Sequence, residues 1–154
     1  MLAVLHAAPS PAAAPCADGV ALDVMVASHH IRPTKQLDEF NPGLGVECVF
    51  HPEWAATAGY FRNSLDRPSF YAGAIYTPEL LHRGWARLGV MGGIISGYNY
   101  GRFGVGPHGS TGPVLAPAAM ARVGRVGLNF ILIPPIPQDH LPFTIGFQAR
   151  YALR

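Results

Sequence analysis

Between Phe143 and Leu153 every odd-numbered residue is apolar (Phe143, Ile145, Phe147, Ala149, Tyr151, Leu153), while Thr144, Gly146, Gln148 and Arg150 fall between them. A period of two puts one set on each face of an extended strand. The same alternation, less clean, recurs along the chain and is punctuated each time by glycine, proline or asparagine. Leu22, Val24 and Val26 alternate with Asp23, Met25, Ala27 and His29 in a first strand over Ala21–Ile31. Arg32–Pro42 is polar, ends in Asn-Pro and reads as a loop. Gly43–His51 is a second strand, with Leu44, Val46, Cys48 and Phe50 on one face and Glu47 on the other. Trp54–Thr77 is a hairpin in which Trp54, Tyr60, Phe70 and Tyr76 stand among alanine and glycine, broken by Asn63, Ser64, Asp66, Arg67 and Pro68.

Four more strands complete the reading. Trp85–Tyr98 carries Gly89, Gly92, Gly93 and Gly97, which would weaken a helix but suit inward positions and sharp bends of a small barrel. Asn99–Gly112 is a glycine-rich loop, followed by strands over Pro113–Ala121, Val123–Ile133 and Phe143–Leu153. Eight strands without a helical pattern predict an all-β fold, an eight-stranded antiparallel up-and-down transmembrane β-barrel. The loops near 32–42, 64–69, 99–112 and 134–142 then share one rim, and most are longer than the turns on the other. The bulky apolar side of each strand faces out, and Glu47, Asn129, Gln148 and Arg150 face in. A soluble barrel of the lipocalin kind would reverse those faces and is the rival fold. Glu47 and Arg150 are expected to pair inside, because an unpaired buried charge is costly.

Composition decides which solvent suits this surface. Only 13% of the 154 residues are charged and 49% are hydrophobic, against roughly 25% charged in ordinary soluble domains. No run approaches the roughly 20 apolar residues of a membrane-crossing helix, so a chain of this kind enters a bilayer only as strands. Scattered arginines and a single lysine, Lys35, give a net charge of +2 with no basic patch for nucleic acid. One domain is expected, the barrel over 21–154. Residues 1–20 precede it as a signal remnant or disordered lead, with a short apolar piece and small residues but no positive n-region. Cys16 and Cys48 are too few for a disulfide framework but allow one bridge. His6, His51, His82, His108 and His140 lie in turns and loops without the spacing of a metal site, so no metal or other cofactor is expected.

His29 at the end of the first strand and Asn63-Ser64 at the end of the third belong to the long-loop rim. Alternation points His29 and Asn63 inward. A histidine beside a hydroxyl is equipped for general-base acyl transfer, and an amide can donate to a developing oxyanion. The segments PVLAP (Pro113–Pro117) and ARVGRVGLNFILIPP (Ala121–Pro135) resemble the paired strands before the last hairpin in the lipid A palmitoyltransferases of Gram-negative outer membranes. In that family a PVLLP-like and a YIP-like segment stand at the separation of Pro117 and Pro134, and such prolines open a lateral gap for phospholipid. Proline has no N–H for a neighbouring strand, which gives that gap its physical basis.

Carried along the chain, the resemblance aligns the family's Asp-Ser motif with Asn63-Ser64 and its catalytic histidine with His29, or with His30 if the register slips by one. Its acyl-chain ruler, an inward glycine, aligns with Ile75, whose branched side chain on the floor of an apolar well would shorten the accepted chain. Gly73, nearer the rim, would leave the upper well open. The family's aspartate is Asn63 here and its N-terminal amphipathic helix has no counterpart. The resemblance therefore implies a monomeric bacterial outer-membrane acyltransferase with a phospholipid donor and a lipid A acceptor, in which Asn63→Asp would raise activity. A non-catalytic lipid-binding barrel and an outer-membrane lipid hydrolase are the alternatives.

Overall fold

A computed structural model describes residues 15–153. Most of the N-terminal segment expected over 1–20 lies outside them, and the first strand already begins at Gly19. The strands are β1 (Gly19–His30), β2 (Phe40–His51), β3 (Trp54–Arg62), β4 (Pro68–Tyr76), β5 (His82–Arg83), β6 (Ala86–Ser96), β7 (Thr111–Val123), β8 (Val126–Ile133) and β9 (Thr144–Ala152). β5 is a two-residue strand that pairs only with the start of β6. The other eight close into an antiparallel barrel, each pairing with its neighbours in chain order, with β4 joined to β6 and β9 returning to β1. Among the described residues the only helical pieces are four three-residue 3-10 turns, and no helix is long and apolar enough to cross a membrane.

The faces divide as the alternation requires. Leu22, Val24, Leu44, Val46, Phe70, Leu88, Ile94 and Leu128 stand exposed on the outer wall. Asp23, Glu47, Asn129 and Gln148 are buried inside it. Outward aromatics pair across the β3–β4 hairpin, Trp54 with Tyr76 (4.5 Å) towards the short-turn rim and Tyr60 with Phe70 (5.0 Å) towards the long-loop rim. Cys16 and Cys48 form a disulfide, the bridge that their number allowed, which ties the lead-in to β1 onto the lower part of β2.

The interior is layered. Near the long-loop rim it is polar, with Ser28, His30, Asn41, Asn63, Ser64 and Ser69 buried. Below lies a small apolar cavity of about 30 Å³ lined by Met25, Phe61, Tyr71, Met91, Ile95, Val114, Ile131, Ile133 and Gln148. A polar layer closes it from beneath: Asn129 Nδ2 donates to Glu47 Oε1 (2.9 Å) and to Gln148 Oε1 (3.2 Å), and Arg150 Nε donates to Glu47 Oε2 (2.6 Å). The expected Glu47–Arg150 pair is thus formed, with Arg122 also within 3.9 Å of Glu47. Pairing is what makes such charges tolerable in an interior.

Two departures from regular pairing shape the long-loop half. In β1 the register shifts between Met25 and Ala27 against both neighbours: Met25 faces Gln148 and Gly43, whereas Ala27 faces Phe147 and Phe40. β2 also reaches back to Phe40, through residues read from sequence as loop, and Pro42, which has no N–H for the ladder, lies in the irregular stretch. The second departure is in β7. Its ladder to β8 runs from Val123 only as far as Ala118, while Thr111–Pro117 pair with β6 alone. Pro117 therefore stands where the β7–β8 seam stops, and Pro134 follows the last residue of β8.

Candidate functional site

The site is built on the β3–β4 turn, which Asn63 organises. Its Oδ1 accepts from the N–H groups of Leu65 (2.9 Å) and Arg67 (3.1 Å), and its own N–H donates to the Arg67 carbonyl (2.9 Å). An asparagine side chain that mimics a backbone turn in this way fixes the residues after it. Asp66 adopts a left-handed conformation (φ 61°) and is clamped by Arg62, whose Nη2 donates to Oδ2 at 3.0 Å. That bond to the Arg62 guanidinium holds the Asp66 carboxyl below the usual carboxylate range.

Ser64, the next residue, is thereby aimed into the rim interior. Its Oγ lies 2.9 Å from His30 Nε2 and 3.2 Å from Ser28 Oγ. Ser28 in turn donates to Asn41 Oδ1 (2.5 Å), whose Nδ2 donates to the Arg62 carbonyl (3.1 Å). With its proton committed to Asn41, Ser28 can only accept from Ser64. The Ser64 hydroxyl has one proton and two neighbours, Ser28 Oγ and His30 Nε2, and of the two only the imidazole, with its own proton on Nδ1, can carry that proton away.

The histidine at this hydroxyl is His30. His29, expected inward by alternation, instead has a side chain that is 62% exposed, with Nδ1 3.3 Å from Glu39 Oε1, while the His30 side chain is 1% exposed. The cause is the β1 irregularity. Asp23 and Met25 point inward at odd positions, but beyond Val26 the parity inverts and Ser28 and His30 point inward at even ones. The register slip that would put His30 in the role of His29 is therefore present, as a bulge within the strand.

Asn63 is buried as expected, yet it is bonded to neither His30 nor Ser64. Its Nδ2 donates to Ser69 Oγ (2.9 Å) and to the Gly97 carbonyl (3.0 Å). Gly97 has φ +87°, and a side chain there would collide with Ser69 and Asn63. The amide so placed has both ends committed, and a carboxylate would face the Gly97 carbonyl with another oxygen. Asn63 thus acts on Ser64 through the turn it builds, and the expected gain from an aspartate at this position loses its basis.

The wall residues separate. Ile75 is buried and inward, but it lines a different cavity, with Ala55, Thr77, Arg87, Met120, Arg122 and Arg150, on the far side of the polar layer. The floor of the apolar cavity is made by Tyr71 and Gln148, whose Nε2 donates to the Tyr71 hydroxyl (3.3 Å). Ile75 is four residues further along β4 than Tyr71, about 13 Å of strand. Gly73 lies between them opposite Gly93, where the β4 and β6 backbones approach too closely for a side chain. Pro117, at the end of the β7–β8 ladder, pairs with Val90 of β6 and faces outward, where it lines an apolar surface groove with Leu88, Phe130, Leu132 and Ile145 and does not line the inner cavity.

Sequence reading missed Ser28, Asn41 and Glu39. Asn41 and Glu39 stand in the segment that reads as a loop, about ten residues beyond the paired histidines, and regular alternation points Ser28 outward; the hydroxyl, amide and carboxylate groups flanking those histidines are the signal that could have raised all three. On its outer side Ser64 opens onto a polar groove of about 500 Å³ between Lys35–Asp38 and Leu65–Asp66. Among the described residues no group of three or more histidine, cysteine, aspartate or glutamate side chains is placed to hold a metal ion. No protein-family model matches the chain, and no curated protein matches it.

Proposed function

We propose that the protein is a bacterial outer-membrane acyltransferase, similar to the lipid A palmitoyltransferases, that moves an acyl chain from a phospholipid to lipid A or a related hydroxylated acceptor. Ser64 is the nucleophile and His30, in place of His29, the base. The observation that carries the reading is the buried 2.9 Å contact between His30 Nε2 and Ser64 Oγ at the rim of the barrel. A weak hydroxyl becomes a nucleophile when a base within hydrogen-bond reach accepts its proton.

In this mechanism Ser64 Oγ attacks the ester carbonyl carbon of the donor as its proton passes to His30 Nε2. The tetrahedral adduct collapses, the C–O bond to the lysophospholipid breaks, and His30 returns the proton to the departing oxygen. An acceptor hydroxyl then gives its proton to His30 and attacks the acyl-Ser64 ester; the bond from the acyl carbon to Ser64 Oγ breaks, and His30 returns the proton to Oγ, which restores the free enzyme. Membrane placement is supported by the outward apolar wall, by aromatic pairs towards both rims and by the disulfide, which belongs to an oxidising compartment such as the periplasm. The incomplete β7–β8 seam supports lateral entry of an acyl chain beside Pro117 and Pro134.

The open polar groove over Ser64 favours a second reading, in which water is the acceptor and the protein is a lipid hydrolase. Refolded protein in mixed micelles, given phospholipid with a labelled acyl chain and lipid A, separates these outcomes by mass spectrometry of the products. Transfer is expected in the wild type and in His29→Ala, with loss in Ser64→Ala and in His30→Ala, and no further loss in the double variant. Free fatty acid alone would identify the hydrolase. Full activity in Ser64→Ala would remove the serine from the chemistry, and a folded wild type that consumes no donor would leave a lipid-binding barrel.

A further inference from the structure

We propose that Glu39 is a positioning residue that holds His30 with Nε2 facing Ser64, completing a serine–histidine–glutamate array; the inference rests on the acyl-transfer reading of Ser64 and His30. His30 Nδ1 is buried and has no hydrogen-bond partner. A buried polar atom without one calls for an explanation. The nearest acidic oxygen is Glu39 Oε1, 3.8 Å from Nδ1, and this oxygen also lies 3.4 Å from the backbone N–H of His30. The backbone is already fixed for the purpose, because Ser28 N–H donates to the Glu39 carbonyl (2.8 Å) and so ties the start of β2 to β1 beside the site.

The Glu39 side chain is 56% exposed and therefore free to move, and a displacement of about 1 Å brings the pair to ordinary hydrogen-bond length. Contacts of this kind often tighten only when substrate is bound. Once made, the bond places the neutral proton on Nδ1, leaves the Nε2 lone pair for the Ser64 proton, and sets a carboxylate against the imidazolium that forms. His29 competes for the same oxygen, since its Nδ1 is 3.3 Å from Oε1. Among the described residues Glu39 is the acidic group within 4.0 Å of the His30 ring; β9 offers the uncharged Thr144 opposite, and the β3–β4 turn offers Ser64.

Two measurements on the intact protein in detergent micelles test this. The first is the rate at which a long-chain alkyl fluorophosphonate labels Ser64. Glu39→Ala is expected to slow labelling roughly 10²-fold, the low end of what a general base contributes. The loss should appear in the maximal rate and leave the half-saturating probe concentration within about twofold, with partial recovery in Glu39→Asp and a modest gain in His29→Ala. The second is the nitrogen NMR signature of the His30 ring, expected to show the Nδ1–H tautomer in the wild type and to lose it in Glu39→Ala. Labelling that slows in His30→Ala but not in Glu39→Ala, with the tautomer unchanged, overturns the role of Glu39 and leaves the serine–histidine reading standing. A tautomer that depends on Glu39 in a protein whose Ser64 never labels sustains the positioning contact and ends the acyl-transfer reading.

Discussion

Asn63→Asp is the substitution that separates a degenerate catalytic aspartate from a turn-building asparagine. In the protein Oδ1 accepts from the Leu65 and Arg67 N–H groups, and a carboxylate oxygen would do the same. The difference lies at Nδ2, which donates to Ser69 Oγ and to the Gly97 carbonyl at 3.0 Å. The Ser69 hydroxyl can rotate and donate to the new oxygen, so that bond is kept. The Gly97 carbonyl cannot, and it is left facing a negative oxygen. Losing that donor costs about 1–3 kcal/mol, and we take about 2 kcal/mol because the carbonyl is only partly buried. With a urea dependence of about 2 kcal/mol per molar, the unfolding midpoint in detergent micelles should fall by about 1 M. The sign with pH follows from the same contact. A carboxyl facing a carbonyl has its folded pKa raised, so the penalty is relieved at low pH, where the protonated group can donate again, and grows as pH rises through the carboxyl range. Transfer by the variant should fall or stay level as the turn under Ser64 loosens. A variant as stable as the wild type at neutral pH, with higher transfer, would refute the reasoning and restore the view of Asn63 as a lost acid.

Three further outcomes test the architecture. Ile75→Gly should leave the acyl-chain profile unchanged, because the Glu47–Asn129–Gln148 layer separates Ile75 from the apolar cavity, and a shift to longer chains by mass spectrometry would place the well through that layer. Pro117→Val supplies an N–H where the β7–β8 ladder stops, so it should slow transfer while the barrel still migrates as a folded, heat-modifiable band; an unchanged rate would count against lateral entry there. Cys16→Ser removes a bridge of sequence separation 32, which in the chain-entropy picture contributes about 4 kcal/mol, and a urea midpoint insensitive to this change would show that the lead-in is held by other contacts.

Much of this was legible in the chain before any coordinates. Alternation fixes which face of a regular strand is apolar, so the eight-stranded closed barrel, the inward Glu47, Asn129, Gln148 and Arg150, and the turn at Asn63-Ser64 all follow from residues that interact locally or through a period of two. What the alternation cannot report is its own interruption. One irregularity near Val26, opposite the stretch of β2 that contains Pro42, inverts the faces beyond it, exchanging His29 for His30 at the Ser64 hydroxyl. Pairing between strands decides that, and no local signal announces it. The same holds for Ile75, whose inward side is fixed by period while its separation from the apolar cavity depends on Gln148 and Asn129 arriving from β9 and β8. Asn63 shows the limit most plainly. Alignment with an aspartate concerns its place in the chain, but its role is set by the Gly97 carbonyl, brought to its amide nitrogen from 34 residues away by the closing of the barrel.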